Sequence, residues 1–129
     1  MVDLSIIIPV YNAAALIERT LGSILSQTTR FSFEVICVDD GSSDNSVELI
    51  RNNSSILKIR NCTSIRIIQQ QNAGPSVARN KGIEYAEGRY VTFIDADDYW
   101  EDGYIEESVT FLDAYSQCVS VTVGCNKIS

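Results

Sequence analysis

The run Ser5-Ile6-Ile7-Ile8-Pro9-Val10 constrains the fold more than any other stretch. It lacks the polar–apolar alternation of a sheet with one face in water. A continuous apolar run of this length suits a strand buried on both faces, as in a parallel sheet covered by helices. Pro9 has no N–H for a ladder, so it must close that strand or sit where no ladder bond is needed. Phe33-Glu34-Val35-Ile36-Cys37-Val38, Ile65-Arg66-Ile67-Ile68-Gln69 and Tyr90-Val91-Thr92-Phe93-Ile94 predict further strands. Between them Ile17, Leu21, Ile24 and Leu25 recur at helical spacing through Gln27, with Asn12 able to cap that helix. Turn chemistry at Asp39-Asp40-Gly41-Ser42-Ser43 leads into a helix over Val47 to Ile50, for which Ser42 or Ser43 suits the cap. Pro75 fits the first turn of a helix whose Ala78, Gly82 and Ala86 permit close packing on a sheet, and Gly88 ends it. Asn52 to Ser64 is polar and predicts an irregular connection; a helix from about Tyr104 to Tyr115 and a strand from Cys118 to Cys125 complete the order. Strands alternating with helices define an α/β class, with a mainly parallel sheet and helices on both faces.

Composition narrows the function. The 129 residues suit one domain with one core. A formal net charge of -7 argues against a nucleic-acid binder. Cys37, Cys62, Cys118 and Cys125 lack zinc-like spacing and there is no histidine. Cys37 lies in an apolar run as a buried thiol, and a reducing compartment without structural disulfides is expected. No signal peptide precedes the first strand, and no apolar run approaches the length of a membrane span.

In open parallel sheets, ligands bind beyond the carboxyl ends of the strands. Those ends carry Pro9-Val10-Tyr11-Asn12, Asp39-Asp40-Gly41-Ser42, the Asn72 to Arg79 segment and Asp95-Ala96-Asp97-Asp98. Three carboxylates so close repel unless a cation or hydrogen-bond donors offset them. A divalent ion does so most simply, with Asp97 as the ligand, Asp95 turned to a ribose, and Asp98 holding either one by a hydrogen bond. The plainer alternative is an acidic turn that caps the next helix. Tyr11 could stack on a nucleobase or brace its loop. Asp40 could accept from a base imide or ribose hydroxyl, or cap a helix. Arg79 and Lys81 lie in the first turns of a helix, where cations are unfavourable unless a diphosphate reverses the sign. Arg79 is the better candidate, and Lys81 reads as a solvated side chain. Tyr99 and Trp100 read as packing residues. The set describes a nucleoside diphosphate site whose metal stabilises a departing diphosphate.

Ser5 to Asn12, Val38-Asp39-Asp40-Gly41-Ser42-Ser43-Asp44, Asn72-Ala73-Gly74-Pro75-Ser76-Val77-Ala78-Arg79-Asn80-Lys81-Gly82 and Phe93 to Asp98 together resemble the family 2 glycosyltransferases of GT-A (Rossmann-like) fold. The resemblance covers essentially the whole chain, residues 1–129, in the right order. It implies a nucleotide-sugar donor, most often a UDP-sugar, and Mn²⁺ or Mg²⁺. Pro9, Tyr11 and Asp40 would line the base pocket and Arg79 would lie near the base and diphosphate. Asp95 would approach the ribose, and Asp97 of the Asp-x-Asp motif would hold the metal. The acceptor would be a saccharide or lipid-linked hydroxyl in cell-envelope or exopolysaccharide synthesis, at the cytoplasmic face of the membrane. Members of the family also have an acceptor-binding half that supplies a carboxylate base. Nothing after Trp100 resembles it, so the sequence reads as the donor-binding part, truncated at its C-terminus and inactive alone. A sheet cut there would leave an edge open to self-association.

Rival readings fit less well. A sugar nucleotidyltransferase needs a glycine-rich basic loop after the first strand, and Tyr11-Asn12-Ala13-Ala14 is neither. A dinucleotide fold needs GxGxxG there. A phosphoacceptor domain would place its acidic pair after the first strand, whereas the acids here follow the second and fourth. A silent nucleotide-binding module remains the non-catalytic alternative.

Overall fold

The computed structural model describes residues 1–54 and 61–115. In chain order these form β1 (Val2–Val10), α1 (Ile17–Leu25), β2 (Phe33–Asp39), α2 (Ser46–Ser54), β3 (Cys62–Gln69), α3 (Pro75–Tyr85), β4 (Gly88–Phe93) and α4 (Tyr104–Ala114). The strands make one sheet in the order β3-β2-β1-β4, with every pair parallel. The expected strand Cys118 to Cys125 lies outside the described residues.

Strand alternation sorts the core into two layers. Leu4, Ile6, Ile8, Val10, Val35 and Cys37 pack with Ile17, Leu21 and Ile24 of α1, Ile50 of α2, and Ile105 and Val109 of α4. Ile7, Ile36 and Val38 face the other way, onto Ala78 of α3. β1 is thus buried on both faces, as its unbroken apolar run requires. Cys37 is a buried thiol, and burial, with the nearby Asp39 charge, pushes its pKa up to about 12.

Pro9 stays inside β1, paired with Val38. The β1–β4 ladder ends at Ile7↔Phe93. Ile94 N–H donates to the carbonyl of Ile7, and Asp40 N–H to that of Val10. By alternation, the position where Pro9 lacks a hydrogen faces the β4 side, just past the last pair, so no ladder bond is lost.

Three local expectations need correction. Asn12 does not cap α1; Leu16 occupies that position without a side-chain cap, and Asn12 has φ 48. Gly88 does not end α3, which closes at Ala86. Gly88 begins β4 instead, where a Cβ would meet the Ser5 backbone nitrogen at 2.7 Å. The irregular connection expected over Asn52 to Ser64 is shorter: Asn52 to Ser54 end α2, and Cys62 to Ser64 belong to β3, where they continue the ladder beside Phe33 and Glu34.

Gly82 lets α3 approach the sheet: an added Cβ would lie 2.5 Å from Ile7 Cγ2. Gly22 in α1 has nothing within 4 Å of the same position. Opposite signs are therefore expected in urea unfolding. Gly22→Ala should gain up to about 1 kcal/mol from helix propensity. Gly82→Ala should lose about 1–3 kcal/mol through overpacking despite the same propensity gain.

Candidate functional site

The acidic segment is shaped by its own backbone. After Ile94 the chain turns, and Asp98 N–H donates to the Asp95 carbonyl at 3.0 Å. One carboxylate oxygen from each of Asp95, Asp97 and Asp98 then lies within 4.8 Å of the others. Asp95 and Asp97 are exposed and Asp98 is half-buried. A set made only of hard carboxylate oxygens fits Mg²⁺ or Mn²⁺ and does not suit a soft-ligand metal.

Helix α1 holds this turn from behind. The Thr20 hydroxyl reaches the Ala96 carbonyl at 2.8 Å and that of Asp98 at 2.5 Å. Arg19 donates to the Asp97 carbonyl at 2.9 Å and lies over the Tyr99 ring. Ser23 Oγ accepts from Trp100 N–H at 3.0 Å. Gln27 donates to the Glu101 carbonyl and accepts from Ile105 N–H. Trp100 is buried with its ring edge-on to Tyr104 at 4.1 Å, a packing residue as expected.

The second wall grows from β2. Asp40 is only 4% exposed. Its Oδ1 accepts from Gln70 Nε2 and Ala73 N–H, each at 2.8 Å. Its Oδ2 accepts from Gly74 N–H at 3.0 Å and Asn72 Nδ2 at 3.4 Å. Burial pushes the Asp40 carboxyl up, but these donors outweigh it and hold the group below its ordinary value. The carboxylate thus ties β2 to the segment that opens α3. It does not cap a helix; Asp44 Oδ1 accepts from Ser46 N–H at the start of α2.

A third set joins the loop after β1 to the loop after β2. Asn12 N–H donates to Ser42 Oγ, Ala13 N–H to Ser46 Oγ and Ala14 N–H to Asp44 Oδ2. Asn12 Oδ1 in turn accepts from Ser43 N–H at 2.8 Å. Its left-handed backbone is one that asparagine tolerates better than most residues.

The three sets surround one cleft of about 670 Å³, whose lining includes Pro9, Tyr11, Asp40, Gly74, Asp95 and Asp97. That volume suits a small-molecule ligand. Tyr11 is 54% exposed. Gly74 and Pro75 bring the N-terminus of α3 to the same cleft. Arg79 is not part of the lining; it pairs with Asp95 at 3.6 Å. The structure therefore gathers Pro9, Tyr11, Asp40, Asp95 and Asp97 and reaches Arg79 through an ion pair. Sequence reasoning passed over Thr20 and Gln70. For Thr20 the signal was a polar residue inside the apolar stripe of Ile17, Leu21 and Ile24.

With this geometry in view, residues 5–127 match the model of Glycosyl transferase family 2, and the chain belongs to that family. It is 46% identical over 95 residues to the uncharacterized glycosyltransferase YibD of Escherichia coli K12, covering 74% of this chain and 26% of YibD. It is 37% identical over 119 residues to the putative teichuronic acid biosynthesis glycosyltransferase TuaG of Bacillus subtilis, covering 92% of this chain and 45% of TuaG. The crystal structure of S. aureus TarS 1–349 in complex with UDP-GlcNAc superposes with a TM-score of 0.77 at 30% identity, over 88% of this chain and 32% of that one. The expected GT-A fold is found. The chain spans less than half the length of these relatives.

The lowered Asp40 value sets the sign of a pH effect. Stability from its ionised form is complete above the unfolded value of about 3.9 and is lost as pH falls below it through the folded value. Asp40→Asn puts an amide donor against the Gly74 N–H and should cost about 1.5–3 kcal/mol at neutral pH. Urea titrations of both proteins should show that difference shrinking as pH drops below about 4.

Proposed function

We propose that this chain is the donor-binding part of a metal-dependent glycosyltransferase. It would move a sugar from a nucleotide-diphosphate donor, with UDP as the nucleotide, to an acceptor hydroxyl in cell-envelope synthesis. The observation that carries the reading is the convergence of the acidic turn, the Asp40-braced wall and the α3 N-terminus on one cleft. The likeness to TarS crystallised with UDP-GlcNAc and to the putative teichuronic acid enzyme TuaG supports the donor class and the cell-envelope role.

In this reading Tyr11 offers an aromatic face to the base, beside Pro9 and the wall that Asp40 fixes. The α3 N-terminus turns its dipole and the first-turn N–H groups that follow Pro75 to the diphosphate. Arg79, freed from Asp95 by a competing anion, adds a positive charge there. Asp95 takes the ribose hydroxyls, and Asp97 holds Mn²⁺ or Mg²⁺ with Asp98 beside it. When bound, the ion neutralises charge developing on the departing diphosphate. The base that deprotonates the acceptor, a saccharide or lipid-linked hydroxyl, belongs to a second half, and the chain by itself transfers no sugar. The setting is the cytoplasmic face of a membrane. Among the described residues β3 and β4 form the sheet edges, and pairing of a second copy along an edge belongs to the same proposal. The loop after β1 is neither glycine-rich nor basic, which leaves nucleotidyl transfer without support.

Calorimetric titration of UDP, with and without Mn²⁺, tests the reading on this chain and on Asp97→Ala. Mn²⁺ should tighten UDP binding at least about tenfold, and the variant should lose that gain while keeping metal-free binding. Absence of UDP binding under both conditions would overturn the donor assignment.

A further inference from the structure

We propose that Thr20 is the positioning residue of the acidic turn, its buried hydroxyl fixing the peptide planes that aim the Asp97 carboxylate. Its consequence for metal binding rests on the donor-site reading above; its structural content does not. Thr20 is fully buried among apolar α1 neighbours, where a hydroxyl without a partner is costly. Within the helix it has the Leu16 carbonyl only at 3.3 Å. Its shorter contacts, 2.8 Å to Ala96 and 2.5 Å to Asp98, both belong to the turn. Those carbonyls stand on either side of Asp97.

One proton cannot serve three carbonyls at full strength, so the short pair dominates. Arg19 takes the carbonyl between them, that of Asp97 itself. Three consecutive carbonyls are thus drawn toward adjacent α1 residues, while the Asp95 and Asp97 side chains line the cleft. The two α1 residues differ in stiffness. Arg19 is exposed on a long flexible stem and can adjust. Thr20 is buried and β-branched, so its hydroxyl direction is set by the helix. The inner grip therefore determines where the turn sits. Ser23 and Gln27 hold the next stretch, Trp100 to Ile105, and do not touch the 96–98 carbonyls. This separates aiming the acids from packing Trp100, and makes Ser23→Ala a control.

The experiment compares the full chain with Thr20→Val, which keeps the shape but removes the hydroxyl, Thr20→Ser, which keeps the hydroxyl, and Ser23→Ala. Hydrogen exchange is read at the Asp98 amide, whose bond to Asp95 closes the turn, and Mn²⁺ is titrated in the presence of UDP. Thr20→Val should exchange faster at Asp98 and bind Mn²⁺ about tenfold more weakly, with metal-free UDP affinity unchanged. Thr20→Ser and Ser23→Ala should follow the unsubstituted chain in both readouts. Should Thr20→Val fail to fold, Thr20→Cys, which keeps only a weak donor, should shift both readouts the same way by less. Equal Asp98 exchange in the valine and serine variants, or an equal effect of Ser23→Ala, would overturn the proposal. If the unsubstituted chain binds no Mn²⁺ with UDP, the metal-dependent part of that reading fails, and the exchange data still decide the role of Thr20.

Discussion

The parallel pairing of β1 on both of its sides is the constraint on which the rest of the structure depends. With β2 it runs in register to Val10↔Asp39. With β4 it stops at Ile7↔Phe93, so past the point where β4 leaves β1 continues beside β2 alone. That stagger creates the floor of the cleft, and Pro9 and Val10 lie in it. A residue with a free N–H at position 9 would present an unpaired donor there. Proline presents none. Because every strand runs the same way, each chain leaves the sheet at the same end, and the polar loops meet there without any long excursion.

Meeting at one edge is not sufficient to make a site; the loops must also hold still. A single device recurs at each junction: a polar side chain of one loop or helix bonds to the backbone of its neighbour. Asp40 holds Ala73 and Gly74. Ser42, Asp44 and Ser46 hold Asn12 to Ala14. Thr20 and Arg19 hold Ala96 to Asp98. Each bond satisfies a main-chain group that leaves regular structure at the strand end, where the ladder no longer supplies partners. The acidic turn is braced in the same way through its carbonyls, and it also carries a set of like charges. Its three carboxylates are brought together, and Asp95 pairs with Arg79 at 3.6 Å. Carboxylates held that close repel one another unless a cation or hydrogen-bond donors offset them.

Much of this was legible in the sequence. The unbroken apolar runs named a parallel sheet because a strand buried on both faces cannot alternate. Ala78 and Gly82 marked the close face of α3, since no larger residue fits over Ile7. Pro9, Tyr11, Asp40, Asp95 and Asp97 were all visible as polar or special residues at strand ends. What misled was local chemistry taken alone: Asn12 and Gly88 have good helix-cap and helix-stop character, yet one sits in a left-handed turn bonded to Ser43 and the other is pressed against Ser5. Tertiary partners outweighed propensities of about 1 kcal/mol or less.

The sequence by itself determined which layers exist and which edge carries the chemistry, because burial patterns and turn residues are periodic along the chain. It also determined the family, because four motifs stand in order at fitting spacing. Only the tertiary structure decided the work of the individual polar groups. It assigned the Asp40 carboxylate to the loop opening α3, paired Arg79 with Asp95, and set Thr20 behind Asp97. Those assignments join residues from about 16 to 78 positions apart in sequence. No local pattern encodes a hydrogen bond between such partners until the sheet has brought their backbones within reach.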